Sequence, residues 1–79
     1  MIIVNTDYIS GKNLETIGIV NGWESGIFRI DMAKAANAAT EIIAENAERV
    51  NADAIINVRY AFDGAGKCVL ATGTAVRFI

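Results

Sequence analysis

Seventy-nine residues with a formal charge of −2, a sequence pI near 4.9, one cysteine, no histidine and no proline exclude several kinds of protein at once. The chain is too short for two domains and too acidic for a basic nucleic-acid surface. It cannot close an internal disulfide, and it cannot build an imidazole metal site.

In chain order, "IIV" at 2–4 is a β-branched run and predicts a short N-terminal strand. "TDYISGKN" follows, with Gly11 and Asn13 as turn material. "LETIGIVNG" over 14–22 alternates, Ile17 and Ile19 against Leu14 and Val20, and predicts a strand that "NGWESG" closes. Gly18 within it permits a bulge or a close backbone approach. From Met32, positions 32, 35, 36, 39, 42, 43, 46, 47 and 50 read Met, Ala, Ala, Ala, Ile, Ile, Asn, Ala and Val. That is a helical stripe interrupted only by Asn46. Asp31 is the candidate N-cap, with Ser25 a turn earlier, and Arg49 suits the dipole of the last turn. The alanines predict that this helix lies close to whatever it covers. Two further strands are expected at 54–62 and 67–79 around "DGAG", where Gly64 and Gly66 fit a tight hairpin.

Strand, strand, helix, strand, strand with one amphipathic helix predicts a two-layer α+β domain over 1–79. Its sheet is expected to be small and antiparallel, three main strands plus the short N-terminal one, covered on one face by the helix. On the strand within "NADAIINVRYAF", alternation places Ile56, Val58, Tyr60 and Phe62 against the helix and turns Ile55, Asn57, Arg59 and Ala61 away. Two hairpin registers stay open for the uncovered face. One adds Cys68, Leu70, Thr72, Thr74 and Val76; a one-residue slip adds Val69, Ala71, Gly73, Ala75 and Arg77. Either face is mixed in character. It suits a subunit contact, where arginine finds a carboxylate or carbonyls; plain solvent and an anion site are the alternatives.

Composition argues for further copies. A domain of this size buries only about 60% of its unfolded surface, and small chains often rely on disulfides, metals or subunits. Here 53% of residues are hydrophobic and 20% charged, against about 45–50% and ~25% for ordinary domains. Association hides the surplus. The start, "MIIVNTDY", lacks the basic and long apolar regions of a signal peptide. No apolar run approaches the ~20 residues of a membrane span, and one cysteine suits a reducing compartment. A cytoplasmic protein is expected.

Chemistry-bearing patterns are few. Soft metals want clustered thiolates or imidazoles, whereas Cys68 stands alone and reads as a small apolar side chain in a strand; a thiolate site shared between subunits is the alternative. Asp7, Asp31, Asp53 and Asp63 have no calcium-loop spacing. "SGKN" has the Gly-Lys pair of a phosphate loop, but Thr6 stands where the earlier glycine belongs and Asn13 where a hydroxyl would hold magnesium. Ser10 and Ser25 have no histidine to activate them. Trp23 reads as a lid over the core edge, a subunit anchor or a stacking platform.

The "GK" turn, "IGIVNG", the alanine-rich helix, "NADAIINVRYAF" and the closing "ATGTAVRF" together resemble the YbjQ-like family of small bacterial proteins, also labelled heavy-metal-binding. The resemblance runs over nearly the whole chain and is strongest at residues 51–60 and 71–76. It implies a dodecin-subunit-like β-α-β-β core with an added N-terminal strand, assembled as a ring-shaped homopentamer. Longer members carry an extra segment with a Gly-Gly turn before the main helix, where this chain has only "WESGIFRID". Residues and resemblance together predict a homo-oligomer, pentamer favoured, that serves as a structural or small-ligand-binding assembly. Metal handling through shared sites comes second, and an enzyme with an inter-subunit pocket third. No catalytic residue, cofactor, resident metal, nucleic acid or membrane is expected. Trp23, Asn57 and Arg59 are the candidate subunit contacts.

Overall fold

The computed structural model describes residues 1–25, 32–62 and 68–79. They form β1 (Ile2–Ile3), β2 (Leu14–Ser25), α1 (Met32–Arg49), β3 (Ala54–Phe62) and β4 (Cys68–Phe78). The candidate N-cap Asp31 and the "DGAG" turn lie outside the described residues. The sheet order is β1-β3-β4-β2. The three long strands are antiparallel neighbours, as expected, while β1 joins parallel to β3, so the sheet is mixed. β2 runs on through Ser25, which puts Trp23 inside a strand rather than in its closing turn.

Why α1 lies where it does follows from its small side chains. Ala35, Ala39, Ile43 and Ala47 are buried at every fourth position, with Met32 and Ala36 packed beside them. Across from them, Gly22 has no side chain. A methyl group there would stand 2.7 Å from Ile42 Cγ2 and 3.0 Å from the Ala39 carbonyl, so glycine permits the approach that the alanines invite. The helix ends on Asn51, whose φ of 59° is left-handed. The Ala52 amide bonds the Ala47 carbonyl at 3.0 Å and the Asn51 amide bonds that of Glu48 at 3.0 Å, the paired bonds of a Schellman end.

β3 departs from simple alternation. Its pairing with β4 shifts between Ile56 and Arg59, and Asn57 sits at φ 54°. Asn57 and Val58 together oppose one residue, Gly73, so a bulge inverts the strand's parity halfway along. Ile55, not Ile56, therefore packs against the helix, followed beyond the bulge by Val58. Tyr60 stays on that side, with its hydroxyl 2.6 Å from Thr40 Oγ1 of α1. Ala54 and Ile56, expected with the helix or left unplaced, belong to the second face with Val76. Asn57 is no face residue at all but the pivot. The hairpin takes the first of the two registers: Tyr60 pairs with Ala71 and Ala61 with Leu70, so Cys68, Leu70, Thr72, Thr74 and Val76 line the uncovered face.

A second, smaller core covers part of that face. Val4 and Ile9 of the N-terminal segment, with Leu14 and Phe78, pack over Ala54, Ile56 and Val76. β1 and the residues after it run beside β3 only as far as the bulge: Val4 donates to Ile55, Val58 to Val4 and Asn57 to Thr6, all backbone.

Candidate functional site: an uncovered sheet face and an edge groove

On the face away from α1, residues of β3, β4 and β2 stand in rows set by the pairing. Beyond the outermost pair, Cys68 and Ser25, Ala61, Leu70 and Trp23 form one row; Arg59, Thr72 and Asn21 the next; Ile56, Thr74 and Ile19 the one after. The N-terminal segment covers Ile56 and meets Arg59 through Asn5, but leaves the β2 side of these rows bare. Ile19 is 77% exposed, Trp23 63% and Leu70 40%. Trp23 and Leu70 are cross-strand neighbours, and the polar Asn21 and Thr72 separate them from Ile19; exposed large apolar side chains among polar ones are what an association surface looks like. Beside them a recess of ≈ 400 Å³ is lined by Trp23, Ala61, Phe62, Cys68, Val69 and Leu70. Cys68, half-buried at the start of β4, is thus on the uncovered face rather than in the core.

The three candidate contact residues part company here. Trp23 projects from the bare face. Arg59 stands on it too, exposed, but its Nη1 donates to the Asn5 carbonyl at 2.9 Å and the Val58 carbonyl at 3.0 Å. Backbone carbonyls were among the expected acceptors; these belong to its own chain and tie the N-terminal segment to β3. Asn57 shapes the bulge, and its amide is taken by Thr6 at 2.8 Å.

Composition gave no sign of a second feature. α1 lies over β2 and β4 and scarcely reaches β3. Along the flank so left open, Ile3, Val4, Asn5, Thr6, Val58 and Tyr60 line a groove of ≈ 410 Å³. Its floor is apolar, and Asn5, Thr6 and Tyr60 bring polar groups to its lining.

Among the described residues, no three His, Cys, Asp or Glu side chains come together. None of the described helices is long and apolar enough to cross a membrane.

Comparison with known proteins identifies the family. A family model described as "Putative heavy-metal-binding", the YbjQ model, matches residues 22–79. Relatives include UPF0145 proteins of Clostridium novyi (strain NT), 36% identical, and Alkaliphilus metalliredigens (strain QYMF), 40% identical; each match covers all of this chain and all of the relative. A third, from Clostridium tetani, is 32% identical over 98% of this chain and 96% of its own length. The first alignment spans 104 positions against 79 residues here, so these relatives carry residues without counterparts in this chain. Among solved structures, a protein of unknown function of the DUF74 family from Pediococcus pentosaceus superposes with a TM-score of 0.83 at 19% identity, over 100% of this chain and 98% of that one. That likeness speaks for the fold. The chain belongs to the YbjQ family of uncharacterised UPF0145 proteins, and none of these relatives carries an enzyme's name.

Proposed function

We propose that this YbjQ-family protein works as a homo-oligomer, joined through the bare half of the sheet face opposite α1, and that its role is that of a structural or small-ligand-binding assembly. One observation carries the reading: Trp23 and its cross-strand neighbour Leu70 stand exposed on that face, with Ile19 exposed two rows further along it, in a chain whose hydrophobic fraction is 53%. Full burial of one large apolar side chain is worth roughly 1.5–3 kcal/mol. Leaving three of them in water on one face is hard to reconcile with a lone subunit. Five copies is the number that the family resemblance implies, and a cytoplasmic setting suits the single cysteine.

Metal handling is the second reading, favoured by the family description and by the position of Cys68 on the same face. With one thiolate and no imidazole per chain, any soft-metal site must draw ligands from several copies. Catalysis has the least support, since neither recess brings a nucleophile and a base together.

Light scattering after size exclusion tests the main reading. The expected mass is a multiple of 8.4 kDa, five-fold favoured, and Trp23→Asp is expected to reduce it. A wild-type monomer at micromolar concentration refutes it. Elemental analysis of the purified assembly separates the metal reading: stoichiometric zinc or copper, lost in Cys68→Ala, would promote it to first place.

A further inference from the structure

We infer that Asn21-Gly22 is a site of spontaneous deamidation, held closed by Asn46 of α1, and that its reaction puts a carboxylate on the bare sheet face. Of the seven asparagines, only Asn21 precedes a glycine, whose missing Cβ leaves the amide nitrogen free to reach the preceding side chain. Asn-Gly is also the pair that most favours a two-residue turn. Here it is held extended inside β2, Asn21 opposite Thr72 and Gly22 opposite Ala71. Local preference and fold disagree at this point, and α1 holds the strand down. It lies so close that a Cβ on Gly22 would stand 2.7 Å from Ile42 Cγ2, so the glycine cannot be exchanged for a safer residue. It also reaches across: Asn46 Nδ2 donates to the Asn21 carbonyl at 3.0 Å, and Arg49 Nη1 donates to Asn46 Oδ1 at 3.4 Å. The one polar residue in the helical stripe is thus bonded to the labile pair.

The reaction needs only water. The Gly22 amide nitrogen attacks Asn21 Cγ, its proton passes to the departing side-chain nitrogen, and loss of ammonia leaves a succinimide ring. Solvent water then opens the ring. Cleavage of the bond to Cγ leaves aspartate; cleavage at the main-chain carbonyl leaves isoaspartate, whose main chain runs through Cβ. In an extended strand the side chain stands off the sheet while the amide nitrogen lies in it, so the ring closes only when β2 opens locally. β2 is an edge strand, and the bond from Asn46 opposes that opening in addition to the ladder with β4. Either product carries a negative charge at an exposed position between Ile19 and Trp23. Isoaspartate also lengthens the main chain, which takes Trp23 out of line with Leu70. The site stands without the self-association proposed above; its effect on assembly rests on that reading.

Ageing the purified protein at mildly alkaline pH, with peptide mass spectrometry at each asparagine, tests the site. Asn21 is expected to lose its amide ahead of the other six, slowly in the folded protein and far faster in urea. Asn46→Ala should speed the folded reaction roughly 2–10-fold, the rise in open population that one lost hydrogen bond gives, and leave the rate in urea unchanged. Ile56→Val, a change in the second core, is the control for a general loss of stability and should speed it less for an equal fall in Tm. If another asparagine reacts first in the folded protein, or Asn21 is as slow as the rest in urea, the site falls. If Asn46→Ala gains no more than the control, its guarding role falls. Asn21→Asp, made directly, should raise the concentration at which the assembly dissociates by ~10-fold or more, as an unpaired charge in a contact does, while Asn21→Gln keeps the wild-type mass. An Asn21→Asp protein that assembles as the wild type does overturns the effect on assembly alone. A wild-type monomer overturns the self-association beneath it, and the rates at Asn21 still decide the site.

Discussion

Replacing Gly73 by alanine puts the bulge in β3 to the test. Gly73 faces α1 from β4, opposite the two residues Asn57 and Val58 that share its place in the ladder. A methyl group on it would stand 2.5 Å from Ile55 Cγ2 and 3.3 Å from both Val58 Cγ2 and the Ile56 carbonyl oxygen. Carbon atoms prefer about 3.5–4.0 Å. Ile55 is fully buried, so it cannot swing into solvent to make room, and the sheet or the helix has to move. Overpacking of this kind costs typically 1–3 kcal/mol, and the lower chain entropy of alanine in the unfolded state returns about 0.4–1 kcal/mol. A net loss of about 0–2.6 kcal/mol, centred on ~1.3 kcal/mol, is expected, which in a domain this small lowers Tm by roughly 4–8 °C per kcal/mol. Gly18→Ala is the control: nothing lies within 4 Å of its methyl position, so the same change in the same sheet should be neutral or stabilise by up to ~1 kcal/mol. Circular dichroism melts at one fixed protein concentration keep association from confounding the comparison. Adding Ile55→Ala to both backgrounds closes a double-mutant cycle, and a coupling of ~1–3 kcal/mol is expected between the two sites. If Gly73→Ala melts at or above the wild type, or if the cycle gives no coupling, the close packing of Ile55 against the bulge is not what keeps position 73 bare.

Asn57→Gly should be close to neutral and Asn57→Ala should cost about 1 kcal/mol in denaturant unfolding, because only the backbone conformation at φ 54° is at stake. Equal losses in both would point instead to the asparagine side chain. Arg59→Ala should release the N-terminal segment, seen as faster hydrogen exchange at the amides of Val4, Asn57 and Val58 while the amides of α1 stay protected; unchanged exchange would leave the guanidinium without that role. Cys68→Val should keep the oligomer mass and change stability by only about 1–2 kcal/mol, the scale of a small volume change. Loss of assembly in that variant would place the thiol at the contact.

The order of elements, the α1 stripe and the two-layer plan were all legible along the chain, because each rests on local periodicity or turn chemistry. Composition alone also raised the expectation of association, the hydrophobic fraction being high for so small a chain. Residue type singled out Trp23 and Arg59. What they do was decided by the folded chain: Arg59 finds its acceptor in Asn5, more than fifty positions away, only because β1 lies parallel to β3. The groove has the same origin. It exists because a distant segment borders β3 while α1 sits over β2 and β4, and no window of sequence contains both facts. The faces of β3 show the limit most plainly. Alternation assigns sides only while a strand keeps one residue per rung, and a bulge adds one without leaving a mark in a run such as Ala54-Ile55-Ile56, where every residue is apolar. Gly73 and Asn57 hold that extra residue in place, the one by lacking a side chain and the other by tolerating a left-handed backbone. Their meaning appears only when β3 and β4 are laid side by side.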